Sequence, residues 1–254
     1  SARRQVAELI GASPQELVFT GCATEANNLA LLGTARAVVE SGSSKRHLLV
    51  SAVEHPAVMA PAMQLRAQGW NVTVVPVDAF GRVAADDVIA ALQDDTVLVS
   101  VMHANNEVGT VQPIRDIAQY TRPRGILLHT DAAQSAGKVS LDVDDLGVDL
   151  LTLAGHKFYA PKGIGALYVR DGTPIRSVLH GADQEHGLRP GTENVAAIVA
   201  LGAAAALASD SLAATSAHLH ALRDRLHHSL AAAVAGLQLN GHPEQRLPNT
   251  LHIS

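Results

Sequence analysis

Seven short apolar runs recur along the chain: ELVFT, HLLVSAV, NVTVVPV, TVLVSVM, GILLHTD, VDLLTLAG and GALYVR. Most are rich in β-branched residues, and several are apolar on both faces. A strand of that kind is stable only when helices cover it on each side. Helical stretches read over 24–40, 56–68, 85–92 and 113–121 separate the runs, and Gly69, Pro76, Gly109, Pro113 and Gly125 mark loops or helix ends. The alternation predicts an α/β chain: a mostly parallel seven-stranded sheet between helices, with right-handed crossovers.

Composition narrows the function classes. Of 254 residues, 47% are hydrophobic and 17% charged, and the formal net charge is −5. A chain of this size buries an ample core without metal or disulfide staples. It lacks the basic surface that nucleic acid or anionic lipid requires, so neither is an expected partner. The single cysteine, Cys22, excludes an intrachain disulfide framework and fits a reducing, cytoplasmic compartment. No uninterrupted apolar run reaches the ~18 residues of a membrane span, and SARRQVAELIGASP lacks the order of a secretory signal. The chain opens without Met inside a helical pattern (Val6, Leu9, Ile10) and stops in the strand-like LPNTLHIS, which reads as part of a longer protein.

From Val195 the sequence turns rich in alanine and leucine, and reads as two helices broken near Asp210 and Ser211. The first leads out of a large domain, residues 1–205. The second, with Leu219, Leu222, Leu226 and Leu230 at helical spacing, opens a small α+β domain over 206–254. His218, His220, His227 and His228 read as a solvated helix face, because no carboxylate or thiol joins them at a metal-ligand spacing.

In an open parallel sheet, ligands sit beyond the carboxyl ends of the strands. Five strand ends here are unusually polar, contributing Thr24, His55, Asn106, Asp131 with Gln134, and His156 with Lys157. A convergent polar pocket follows. The chain has four lysines, and only Lys157 follows a long apolar strand directly. Burial there disfavours the ammonium and makes the amine a usable nucleophile for a Schiff base, although a salt-bridged or phosphate-neutralising lysine fits the position equally. Asp131 shifts that balance. Pyridoxal 5'-phosphate (PLP) needs both a lysine and a carboxylate that keeps its ring nitrogen protonated. Alone, Asp131 and Thr24 are ordinary helix caps and His55 a surface or capping histidine; together they offer an acid, a helix start for a phosphate and a flat ring for a flat cofactor. Neither GxGxxG nor GxxxxGK[ST] occurs, which argues against nucleotide-binding α/β enzymes.

In order, FTGCATEANNLAL, VEHPAV, MHANNEVGTVQPI, HTDAAQSAGK, LAGHKFYAPKGIGALYVR and GLRPGTENVAAIVALG resemble the NifS/IscS-type cysteine desulfurases, class V aminotransferases of PLP fold type I. The resemblance covers nearly the whole chain. It implies that Lys157 anchors PLP and shuttles the proton at the substrate Cα, and that Asp131 pairs with the ring nitrogen. Gln134 would bond the ring oxygen, and His55 would stack on the ring and act as an acid or base. Asn106 would lie near the ring oxygen and the substrate carboxylate. Ala23 (through its backbone), Thr24 and His156 would bind the phosphate, and Thr192 would reach the phosphate of a partner subunit in a homodimer. No metal is implied. The substrate would be L-cysteine, converted to L-alanine with sulfur passed through an enzyme persulfide to an acceptor protein, for iron–sulfur clusters or thiolated cofactors and tRNA.

Departures from the pattern leave other readings open. The family usually places a serine on the phosphate three residues before the lysine, where this chain has Ala154, so one phosphate contact is expected to be lost. Gly21 and Cys22 replace the usual Ser-Gly of the phosphate turn, and Cys22 reads as a small packed residue rather than the sulfur acceptor. The family's first Ala-Thr-Thr stretch, its persulfide cysteine and its carboxylate-gripping arginine are expected outside these residues. A class V aminotransferase or selenocysteine lyase, or a catalytically incomplete dimerising subunit, remains an alternative.

Overall fold

A computed structural model describes residues 1–254. Every apolar run forms a strand: β1 Leu17–Thr20, β2 His47–Ser51, β3 Asn71–Val75, β4 Thr96–Ser100, β5 Leu127–Asp131, β6 Leu150–Ala154 and β7 Gly165–Val169. They form one seven-stranded sheet in the order β1-β7-β6-β5-β4-β2-β3. Strands β2 to β6 pair in parallel with their neighbours, whereas β7 is antiparallel to both β6 and β1. The exception follows from the connection. β6 returns to β7 through a short turn with no crossover helix, and a parallel pair cannot be joined that way.

The helices are α1 Ala2–Leu9, α2 Ala23–Asn28, α3 Thr34–Glu40, α4 Pro56–Ala67, α5 Ala85–Ala90, α6 Ile114–Thr121, α7 Val143–Leu146 and α8 Val195–Ala233. A π-helical turn, Leu29–Gly33, joins α2 to α3, so the stretch read from sequence is helical throughout. Strand side chains alternate between two cores. Leu49, Leu151 and Leu153 face a cluster with Ile10, Ile117 and Leu201, while Leu48, Val50 and Leu150 face another with Leu29, Val58 and Leu65.

Two expectations about the C-terminal stretch are corrected. α8 is one unbroken helix through Asp210 and Ser211. No Gly or Pro interrupts α8 between Gly202 and its end at Ala233, and the Ser211 hydroxyl donates back to the Leu207 carbonyl at 2.7 Å instead of capping a new helix. α8 also contains a stretch long and apolar enough, by length and composition, to cross a membrane. Counting uninterrupted apolar residues passed over it because small and polar residues dilute the run without ending it. Its first turns pack on α1, with Leu201 and Ala205 fully buried. At the crossing a Cβ on Gly202 would stand 2.5 Å from the Ala2 Cα, so only glycine admits that approach. The residue 205 boundary falls inside α8, and a separate pair, β8 Leu239–Asn240 with β9 His252–Ile253, lies outside the large sheet.

Candidate active site

The polar strand ends converge. Ala23, Thr24, His55, Asn106, Asp131, Gln134, His156 and Lys157 all line one cavity of about 370 Å³. Thr192 does not. It is exposed beside a separate, smaller cleft that it shares with Gly21 and Arg189.

Asp131, the last residue of β5, is buried in the cavity wall. Its Oδ1 accepts the Ala133 N–H at 2.9 Å and its Oδ2 accepts the Asn27 side-chain amide at 2.6 Å. Burial pushes its carboxyl above the usual carboxylate range; the two donors and the positive charges of His55 and Lys157 pull the other way. A buried acid with organised donors and nearby cations is prepared to meet one more cation.

Lys157 lies on the 3₁₀ turn Gly155–Phe158 that leaves β6. It is half-buried, not sealed in a dry interior as the sequence suggested, because the lysine sits on the turn beyond the strand. His156 beside it is exposed, and partial burial with the charges of Lys157 and Lys162 pushes its imidazole below the usual histidine range. His55 is the N-cap of α4. Its Nδ1 accepts the Ala57 N–H at 3.0 Å, which leaves Nε2 of the exposed ring as the nitrogen available to a ligand.

Thr24 stands in the first turn of α2, where the leading N–H groups have no intrahelical acceptor. The chain passes very close to β7 here: a Cβ on Gly165 would lie 2.8 Å from the Cys22 carbonyl carbon and 3.0 Å from the Ala23 nitrogen. Cys22 is exposed and lines the cavity, so its reading as a packed residue is corrected; it precedes the helix and its side chain has no core to enter. Ala154 lines the same cavity, and no hydroxyl is present at that point of the wall.

Four contributors escaped the sequence reading. Asn27 is fully buried and holds Asp131. A polar residue on the buried face of an apolar helix was the available signal. Lys138 donates to the Gln134 carbonyl at 2.9 Å and lies 3.4 Å from its side-chain oxygen, leaving the Gln134 amide hydrogens for the cavity. Glu54, beside His55, accepts from the Ser51 hydroxyl at 2.5 Å and the Met102 N–H at 2.8 Å, tying the His55 turn to the end of β4. Asn105 adds a second tie through the Val53 carbonyl at 3.3 Å.

A mostly parallel sheet with an amine, a buried carboxylate, an imidazole and a helix start at its strand ends defines the class: a fold type I PLP-dependent transferase. The aminotransferase class-V model matches residues 1–254, and the chain belongs to that family. It is 44% identical over 253 residues to the cysteine desulfurase IscS of Dictyoglomus turgidum (strain DSM 6724 / Z-1310), covering 100% of this chain and 64% of that protein. Among solved structures, a NifS-like protein superposes with a TM-score of 0.94 at 39% identity, covering 100% of this chain and 68% of the other. A structure described as SspA in complex with cysteine gives 0.85 at 38% identity, covering 99% and 70%. The chain therefore spans less than two thirds of the curated relative's length.

Proposed function

We propose that this chain is the cofactor-holding part of a PLP-dependent cysteine desulfurase, which converts L-cysteine to L-alanine and passes the sulfur on as a protein persulfide. The carrying observation is that Lys157, Asp131 and His55 share one cavity with the helix start at Ala23 and Thr24. Its donor set matches the cofactor group by group: free N–H groups and a hydroxyl for the phosphate, a buried carboxylate for the ring nitrogen, an amine for the aldehyde. Support for cysteine as substrate comes from relatives called cysteine desulfurases and from SspA, whose structure holds cysteine.

Bound PLP supplies an aldehyde that joins amines and a ring that withdraws electrons from the bonds at the substrate Cα. With PLP bound, Lys157 would hold the aldehyde carbon, and its Nζ would take up the proton from the substrate Cα. Asp131, oriented by Asn27 and the Ala133 N–H, keeps a proton on the ring nitrogen. His55 would face the ring, with Nε2 as its proton-bearing atom. Gln134 donates its amide hydrogens to the ring oxygen, and Asn106 serves the ring oxygen and the substrate carboxylate. Ala23, Thr24 and His156 hold the phosphate.

Thr192 completes the phosphate site of a second copy, which makes the working unit a homodimer; its exposure outside its own protomer's cavity supports this. Residues 1–205 form the large domain and 206–254 begin a small one, a division supported by the separate β8-β9 pair. We assign the persulfide thiol to a cysteine outside these residues. The setting is cytoplasmic, with a sulfur-acceptor protein serving iron–sulfur clusters or thiolated products.

The test is made on the intact protein saturated with PLP. An absorption band at roughly 400 nm that borohydride abolishes and Lys157→Ala lacks is expected, together with alanine formed from L-cysteine. A colourless protein that takes up no PLP overturns the proposal. A coloured protein that makes alanine from selenocysteine but not from cysteine replaces the desulfurase with a lyase.

A further inference from the structure

The turn assigned to the phosphate carries a charge that opposes that role. Glu25 follows Thr24 directly in the first turn of α2. An acid there suits the helix dipole, but a carboxylate close to a phosphate repels it.

Glu25 is held on both oxygens. Oε2 accepts the Gly21 N–H at 2.8 Å, and Oε1 accepts Nε of Arg189 at 2.8 Å. Both side chains are largely withdrawn from solvent, at 23% and 26% exposure, so the pair is screened less than a surface ion pair. A Cβ on Gly21 would stand 2.9 Å from Oε2, and its absence lets the carboxylate reach the backbone.

Arg189 is itself on a braced segment. Glu185 Oε2 accepts the Phe19 N–H of β1 at 2.8 Å, and its Oε1 accepts Nη2 of Arg3 at 2.6 Å. Glu185 and His186 adopt left-handed backbone, φ 48° and 60°, a costly conformation that persists only where surrounding contacts hold it. Two carboxylates thus tie the turn 20–25 to the segment 185–189 in opposite directions: Glu25 reaches from turn to segment, and Glu185 from segment to the strand entering the turn.

We propose that Glu25 and Arg189 are a positioning pair for the cofactor phosphate. The carboxylate occupies the Gly21 N–H and fixes the turn, so that the next N–H groups and the Thr24 hydroxyl are left for the phosphate. The guanidinium cancels the negative charge that Glu25 would otherwise set beside it. Neither side chain lines the cavity, and both act through the turn. The proposal rests on the reading of Thr24 as a phosphate ligand.

Dissociation constants for PLP and for pyridoxal, which lacks the phosphate, are measured by absorbance titration of the intact wild-type protein, Arg189→Gln, Arg189→Lys and the double variant Glu25→Gln/Arg189→Gln. Arg189→Gln is expected to weaken PLP about tenfold and leave pyridoxal within about twofold. Arg189→Lys keeps the charge and retains most PLP affinity. The double variant recovers part of the loss, because no unpaired carboxylate remains. Equal weakening of both aldehydes by Arg189→Gln, a double variant no better than Arg189→Gln, or a lysine variant as weak as the glutamine variant overturns the pair. A wild-type protein that binds neither aldehyde overturns the cofactor reading instead, so the two failures are distinguishable.

Discussion

Asn27 on α2 donates its side-chain amide to Oδ2 of Asp131 at 2.6 Å, joining the helix assigned to the phosphate with the carboxylate assigned to the ring nitrogen. The contact spans the two ends of the proposed cofactor. Replacing Asn27 by alanine removes a donor from a buried carboxylate, which costs about 1–3 kcal/mol of stability. It also takes away one of the interactions that hold Asp131 charged, so its carboxyl moves further up. Urea unfolding of the cofactor-free protein is expected to show the destabilisation, and PLP titration a weaker complex. Asn27→Ala with unchanged unfolding and unchanged PLP affinity would remove Asn27 from the site.

Glu54 gives the structure a pH dependence with a definite sign. Burial pushes its carboxyl up to about 8, partly offset by the Ser51 hydroxyl and the Met102 N–H, and the nearby Asp131 charge adds to the rise. The folded state therefore binds this proton more tightly than the unfolded state, whose glutamate is near 4.5. The stabilisation is complete below the unfolded value and is lost as pH rises through the folded one. Glu54→Gln removes that slope and keeps an acceptor for Ser51 and Met102. The stability of wild type relative to Glu54→Gln is expected to fall by a few kcal/mol, about, between pH 5 and pH 8. Parallel urea midpoints for the two proteins across that range would refute it.

Strands were legible because a doubly covered strand needs a continuous apolar run, and each of the seven runs became one. The polar residues after those runs were legible for the same topological reason, and eight of the nine assigned positions share a cavity. What depended on tertiary context was not readable. His129 in β5 is fully buried between the Ser100 and Thr152 hydroxyls at 2.8 and 3.1 Å, and burial pushes its imidazole down to about 3. Asn27 and Glu54 bond partners from other elements, and the spacing of polar residues along one element carries no trace of such pairings. The unbroken α8 shows the converse: Asp210 and Ser211 looked like a break locally, yet continuous alanine- and leucine-rich flanks carried the helix through.

Ala154 offers a gain rather than a loss. It lines the cavity at 1% exposure, at the last position of β6 and three residues before Lys157. Serine there adds one hydroxyl at nearly the same volume. If that hydroxyl reaches the phosphate, Ala154→Ser tightens PLP by about 2- to 10-fold, the worth of one hydrogen bond. Pyridoxal affinity stays unchanged, which separates a phosphate contact from a general change in the cavity. A serine variant that binds both aldehydes as wild type does would show that the position does not face the phosphate.

Gly165 tests whether the phosphate turn depends on close packing against β7. An alanine Cβ there would meet the Cys22 carbonyl carbon at 2.8 Å, the Leu153 oxygen at 2.8 Å and the Ala23 nitrogen at 3.0 Å, all backbone atoms. None of the three is the end of a flexible side chain, so the turn or the strand must move. Overpacking of this kind costs about 1–3 kcal/mol. Because the displaced atoms belong to the residues that open α2, Gly165→Ala is expected to weaken PLP more than pyridoxal, alongside a lower thermal midpoint. Gly202→Ala is the matched control: its Cβ would meet Ala2 at 2.5–2.6 Å, where α8 crosses α1 and away from the cavity. It should lower the midpoint while leaving the ratio of PLP to pyridoxal affinity as in wild type. Equal ratios in both glycine variants would mean that the approach of β7 to the turn supports the fold without shaping the phosphate site.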